Sequence, residues 1–167
     1  TLSVGLGYLV QIAYEAHNKG ASMSDLDWLI RTSIPRIYSF FCLPDLSNLS
    51  SHSLIESEQA MIGELLMLLP TFTIEEGSLI PVEKMRNYRH AMLSFQEFID
   101  EFDQLEYVAI VKGDDAHLHD IRLVRDHLRN RFQHLNFIEM QANRPLSTLF
   151  GSKMIGLFLI EKRTSEN

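Results

Sequence analysis

The chain has 167 residues, of which 46% are hydrophobic and 22% charged, and its formal net charge is −7. This balance is typical of a globular protein and excludes a disordered chain, while the acidic charge argues against a nucleic-acid partner. The single cysteine, Cys42, excludes an intrachain disulfide and favours a reducing, cytoplasmic location.

The apolar runs of the chain are short, and the longest are Leu65–Leu69 and Met154–Ile160. Both fall far below the roughly 20 residues of a transmembrane helix, so no membrane span is expected. We expect a single domain over residues 1–167, with no signal peptide. Because the sequence begins at Thr1 rather than at Met, it reads as a stretch of a longer protein.

The first half of the chain shows helical spacing of apolar residues. Leu6 and Val10 belong to a pattern that predicts a first helix over residues 3–17. A short helix capped by Ser24 follows, and residues 45–51, rich in Ser and Asn, are predicted to form a loop.

Two further helices are predicted in the middle of the chain. Ser53 and Glu56 match a capping box, which predicts a helix that runs to Leu69. Pro81 suits the first turn of another helix, whose apolar stripe continues to Leu105.

The last third is predicted to hold one long helix. Residues 107–111 form a brief β-like run, too isolated to indicate a sheet. The helix then extends to Ala142, with a core stripe from Leu118 to Ile138, and the tail from Leu146 is left unassigned. Several helices without a sheet predict an all-α fold, a helical bundle.

Two histidines on the predicted last helix are candidate ligands. His134 lies about 110° around the helix from the core stripe, and His127 faces the same way. This second, partly apolar face could cover a flat cofactor, and a neutral imidazole there could bind iron. The alternatives are that His127 is the ligand, or that His134 is a surface histidine or a buried histidine with its hydrogen bonds satisfied.

Several short segments, in order along the chain, resemble the indoleamine 2,3-dioxygenase family. Met85-Arg86-Asn87-Tyr88 resembles the family's "MRDY" segment, and Lys112-Gly113-Asp114 resembles the Lys-Gly-Asp before its haem-ligand helix. Arg131 with His134-Leu135 resembles the "R-x-x-H-L" element that carries the proximal histidine. Family members are longer, with several helices between the parts matched by Leu46 and Ser53, so a discontinuity near residues 46–53 is expected.

The resemblance implies an enzyme with a haem-dioxygenase-like helical fold that uses haem b. Its reaction would insert O₂ across the indole 2,3 bond of tryptophan or a related indole and give an N-formylkynurenine-type product. His134 would hold the iron, and Gly151 and Ser152 would be the remnant of the loop that binds the substrate carboxylate. The alternatives are a cofactor-free helical protein-interaction module and a non-catalytic haem-binding protein.

Overall fold

A six-stranded mixed sheet forms the centre of the protein. The structure is a computed structural model that describes residues 3–116, 118–135 and 137–163, without the side chains of residues 118–120. The strand order is β3-β2-β1-β6-β4-β5, in which β4 and β5 are parallel and all other neighbours are antiparallel. The strands are β1 Ile37–Cys42, β2 Leu69–Glu75, β3 Ser78–Met85, β4 Leu105–Lys112, β5 Phe137–Gln141 and β6 Ile155–Glu161.

Helices precede the sheet and connect its strands. They are α1 Val4–Asn18, α2 Met23–Ser33, α3 Leu46–Ser51, α4 Ser57–Leu65, α5 Tyr88–Asp100, α6 Leu118–Arg131 and α7 Arg144–Phe150. A 3-10 turn, Ile34–Arg36, leads from α2 into β1. Of the helices in the described ranges, none has the length and apolarity to cross a membrane.

Both faces of the sheet are covered, which gives the fold three layers. On one face, α5 and α6 pack against β1, β4 and β6 in a core that includes Phe40, Phe95 and Ile121. On the other face, α3, α4 and α7 pack in a second core that includes Phe41 and Phe150. Adjacent residues of β1 therefore enter different cores, as the alternation of a strand requires.

The all-α prediction is wrong, and the strand β6 shows why. Residues 155–160 are all buried, because the strand lies inside the sheet and helices cover both of its faces. Such a strand is apolar at every position and lacks the period of two that identifies a half-exposed strand. The β-like run at residues 107–111 belongs to β4, which pairs with β5 and β6 and is not isolated.

The helix boundaries also differ from the sequence prediction. The first helix is confirmed within two residues, whereas α2 is capped by Ser22, whose hydroxyl accepts from the Asp25 N–H at 3.2 Å. Ser53 has a φ of +57° and caps no helix; α4 begins at Ser57, and the segment predicted to be a loop contains α3. Pro81 lies in β3 rather than in a helix.

The predicted long last helix consists of two elements. Its helical part, α6, ends at Arg131, and the second half of the predicted apolar stripe belongs to a turn and to β5. Ile121, Val124 and Leu128 face the core as predicted, while the side chain of Leu118 lies outside the described residues. This correction moves His134 out of the helix.

Candidate functional site

The two candidate histidines lie in different settings and do not converge. His134 is exposed in the turn between α6 and β5, at the edge of an open hollow that also contains Lys162 and Glu106. His127 lies on α6, where its Nε2 is 2.9 Å from Asp100 Oδ1 on α5. No group of three or more His, Cys, Asp or Glu residues in the described part of the chain is placed to hold a metal ion.

Gly151 and Ser152 lie where α7 ends and the chain enters β6. Gly151 is buried with a φ of +86°, and a Cβ at this position would collide with the side chain of Asp45. The Ser152 carbonyl accepts from the Asp115 N–H at 2.9 Å and lies against Gly113. Neither residue lines the cavities described below, so a ligand role for the pair stays a prediction.

The described residues form several surface hollows, and three of them have the size of a ligand-binding site. The acidic cleft, of about 930 Å³, lies between α5 and the ends of β1 and β2. The His134 hollow, of about 660 Å³, lies beside β4. The apolar groove, of about 530 Å³, lies on the opposite face of the sheet from α5, beside α3 and α4.

The apolar groove is built from four segments of the chain. Its walls are α3, the segment 53–56, α4 and the hairpin of β2 and β3. Nine of its lining residues are apolar: Leu46, Leu54, Ile55, Ile62, Leu68, Pro70, Phe72, Leu79 and Pro81. Its volume lies within the range of roughly 300–1,000 Å³ that is common for small-ligand sites.

One cation, Lys84, lies among these apolar residues because β3 contains a bulge. Thr71 pairs with Glu83 and Phe72 with Pro81, so Val82 is the extra residue. The bulge shifts the alternation of side chains by one. Lys84 therefore lines the apolar groove together with Pro81, while Val82 and Glu83 line the acidic cleft on the other face.

The helical wall of the groove depends on a close approach between α3 and α4. A Cβ at Gly63 on α4 would meet the Leu46 Cδ1 on α3. The Ser47 N–H donates to Glu64 Oε1 at 2.7 Å, and hydrogen bonding by Ser47 lowers the pKa of that carboxyl below its usual value. The carboxylate thus satisfies an N–H group in the first turn of α3, which helps to fix the two short helices together.

The groove combines an apolar interior with one amine and a few polar groups, namely Ser53, Glu56 and Gln59. Such a lining suits a ligand with a long apolar body and one anionic end, since apolar contact supplies most of the binding energy and the charge fixes orientation. Sequence reasoning missed it because it assigned Pro81 to a helix. The Glu76-Gly77 pair between two runs of β-branched and apolar residues was an available hairpin signal.

The sequence profile of the DegV family, described as a family of uncharacterised proteins, matches residues 1–162. The chain belongs to the DegV family. A DegV domain-containing protein of Caldanaerobacter subterraneus subsp. tengcongensis is 26% identical over 164 residues, which are 96% of this chain and 58% of that relative.

Solved structures of family members share the fold. A DegV family protein of Corynebacterium glutamicum superposes with a TM-score of 0.84 at 16% identity, over 99% of this chain and 64% of the other. A fatty acid binding DegV family protein of Streptococcus agalactiae gives 0.80 at 21% identity, over 94% and 56%. The chain thus spans between 56% and 64% of the length of these relatives.

These findings overturn the resemblance to indoleamine 2,3-dioxygenases, and with it the assignments of haem, tryptophan and O₂ and the helical-module alternative. The segments that suggested the resemblance are short and lie in unrelated elements here. Residues 85–88 join β3 to α5, Lys112 ends β4, and His134 lies in an exposed turn. The prediction of a haem cofactor held by His134 is therefore wrong, and the described part of the chain has no group of three or more metal-binding side chains around this residue.

Proposed function

We propose that this chain binds a fatty acid, with the acyl chain in the apolar groove and the carboxylate near Lys84. Membership of a family whose Streptococcus agalactiae member is described as fatty acid binding carries the proposal. The groove supports it, because nine apolar lining residues and one amine match the two parts of such a ligand.

The other two hollows suit a fatty acid less well. The acidic cleft contains five glutamates and no basic residue among its described lining residues, so it repels a carboxylate. The His134 hollow is lined by Asp103 and Glu106 as well as by Lys162, and it has fewer apolar residues. The apolar groove is therefore the favoured site.

Chain length gives the first test. We would measure the affinity of the purified protein for octanoate, decanoate and dodecanoate by calorimetry, below their micellar concentrations. Each buried methylene contributes about 0.8 kcal/mol, which corresponds to roughly a fourfold increase in affinity. A rise of this order with each added methylene is expected, whereas affinities independent of length would contradict the proposal.

Two pairs of matched variants locate the ligand. Leu79→Asp places a carboxylate in the groove, and Ile80→Asp places one on the other face of the same strand. We expect Leu79→Asp to weaken dodecanoate binding by at least tenfold, because it introduces a buried like charge, and Ile80→Asp to leave it nearly unchanged. Equal effects of the two variants would place the ligand elsewhere.

The second pair tests the carboxylate contact. Lys84→Gln removes the amine of the groove, and Arg86→Gln removes one charge from an exposed residue outside the groove lining. A partly exposed ion pair contributes about 1 kcal/mol, so Lys84→Gln is expected to reduce affinity by roughly fivefold and more strongly at low salt. Dodecanol, which has no carboxylate, would bind both variants alike.

Two broader assignments belong to the same proposal. We infer a cytoplasmic location, since the single cysteine is buried and unpaired, as is usual in a reducing compartment. We also treat residues 1–167 as one domain, supported by a sheet whose strands come from residues 37 to 161.

A further inference from the structure

The acidic cleft lies where two neighbouring strands of the sheet separate. Pairing between β1 and β2 ends at Phe40 and Thr73, although β1 starts at Ile37 and β2 continues to Glu75. The Thr73 hydroxyl donates to the Ser39 carbonyl at 3.0 Å and occupies the point of separation. Residues 37–39 pair only with β6, and 74–75 only with β3, so the two edges that face each other across the cleft make no strand pairing.

The floor of the cleft is apolar. Phe40 of β1 is buried and stacks on Phe98 of α5 with ring centroids 4.8 Å apart, and Tyr38 lies beside them. Ile34 and Val82 lie at the sides and are each about half exposed. Unpaired strand edges bind extended peptides as added strands, where main-chain hydrogen bonds supply affinity and side-chain pockets supply specificity. The apolar floor offers such a pocket below the two edges.

The rim of the cleft carries one sign of charge. Its five carboxylates are Glu75, Glu76, Glu83, Glu97 and Glu101, all on exposed residues. None of the described lining residues is Lys, Arg or His. Glu83 accepts a hydrogen bond from the buried Ser94 hydroxyl at 2.8 Å, which holds one carboxylate at the cleft. Low-dielectric walls concentrate the field of such a rim and favour a cationic occupant.

We propose that the acidic cleft docks an extended, lysine- or arginine-bearing segment of a partner protein, which inserts between β1 and β2. The segment would use its main chain to pair with residues 37–39 and 74–75, its apolar side chains to cover Phe40 and Phe98, and its cations to meet the glutamates. This inference is independent of the fatty-acid proposal, since the apolar groove lies on the other face of the sheet.

The test uses a labelled seven-residue peptide of alternating lysine and valine, blocked at both ends, and fluorescence anisotropy. A peptide with glutamate in place of lysine tests charge, and one methylated at the valine amide nitrogens tests main-chain pairing. We expect the lysine peptide to bind, and both altered peptides to bind at least tenfold more weakly. Hydrogen exchange should show new protection at residues 37–39 and 74–75.

Matched variants locate the binding site. Glu97→Gln with Glu101→Gln removes two rim charges, and Glu15→Gln with Glu58→Gln removes two exposed charges on α1 and α4. The rim variant should bind the lysine peptide three- to tenfold more weakly than the control variant, and both should bind dodecanoate as the unmodified protein does.

Several outcomes would overturn the proposal. They are no peptide binding, equal binding of the methylated peptide, and equal affinities of the rim and control variants. The protein without peptide could also self-associate, and the rim variant could abolish this association. That result would identify a second copy of the chain as the occupant of the cleft and would reject a separate partner.

Discussion

At the scale of single residues, Gly151 carries a specific backbone requirement. Its φ of +86° and ψ of 163° lie in a region that is essentially restricted to glycine, and Asp45 occupies the space of a Cβ. We expect Gly151→Ala to lower the free energy of unfolding by about 1–3 kcal/mol. Urea unfolding followed by circular dichroism measures the difference.

Gly7 is the matched control for this substitution. It lies in the interior of α1 with helical neighbours, and apart from the adjoining residues and the backbone of the helix itself no atom would come within 4 Å of an added Cβ. Gly7→Ala is therefore expected to stabilise the protein by about 0.5–1 kcal/mol. Destabilisation of similar size in both variants would show that backbone conformation does not explain the Gly151 effect.

Lys84 illustrates what could not be predicted at this scale. A cation on a strand is visible in the sequence, but the face that it occupies depends on whether a bulge precedes it. The bulge arises from the register of Thr71 and Phe72 against β3, which are contacts between segments and leave no local signature. Of the two neighbouring residues, Glu83 therefore lines the acidic cleft and Lys84 lines the apolar groove on the other face of the sheet.

At the scale of elements, one ion pair connects α6 to the edge strand β5. Arg125 donates to both oxygens of Glu139, at 2.5 and 2.9 Å, and both side chains are partly buried. The hydrogen bonds from Arg125 hold the pKa of the Glu139 carboxyl below its usual value. Because the folded-state pKa is depressed, this stabilisation is complete above the ordinary pKa and is lost as the pH falls through the folded-state value.

We expect Glu139→Gln to destabilise the protein by about 1 kcal/mol at pH 7. The difference in free energy of unfolding between variant and unmodified protein should begin to shrink near the ordinary glutamate pKa of about 4.3, where the unfolded state takes up the proton. It should close as the pH falls through the lower pKa of the folded state. Urea midpoints at pH 7, 5 and 3.5 measure this, with Glu97→Gln on α5 as the control. If the difference in stability between the two proteins did not change with pH, the charge of Glu139 would be excluded as its cause.

Helices were predicted where one face meets the sheet and the other meets solvent. The limits of α1 were predicted within two residues, although Leu6 and Val10 of its apolar pattern are more than half exposed. The pattern fails after Arg131, where apolar residues at helical spacing continue through a turn into β5. A spacing of three or four residues that spans two elements cannot be distinguished from one helix by periodicity alone.

At the scale of the whole molecule, the surface retains a cluster of apolar side chains around the end of α4. Leu65 is 80% exposed and Met67 is 82% exposed, and Met61, Ile62 and Leu66 lie near them in the chain. Clusters of this kind promote association of a protein with itself. Leu65→Ser with Met67→Ser is expected to raise the concentration at which the protein associates, measured by light scattering. The control is Leu123→Ser on α6, where a lone exposed leucine should have little effect.

The fold class could not be derived from the spacing of apolar residues in the sequence. In a sheet covered on both faces, the strands lack the alternation of apolar and polar residues that identifies them. The strands β1 and β6 contribute to both cores and are apolar almost throughout, so they resemble pieces of buried helix. The site was equally hidden, since the groove combines α3, α4 and a hairpin that meet only in the folded chain.

Cys42 offers a kinetic consequence of this layered core. It lies fully buried in β1, between Thr71 and Ile155, and burial raises the pKa of its thiol to about 12. Only the thiolate reacts with disulfide reagents, so labelling waits for an opening event that exposes the centre of the sheet. Because the chain has no other cysteine, the rate of labelling reports only the opening around Cys42. This opening rate can be measured in native buffer without denaturant.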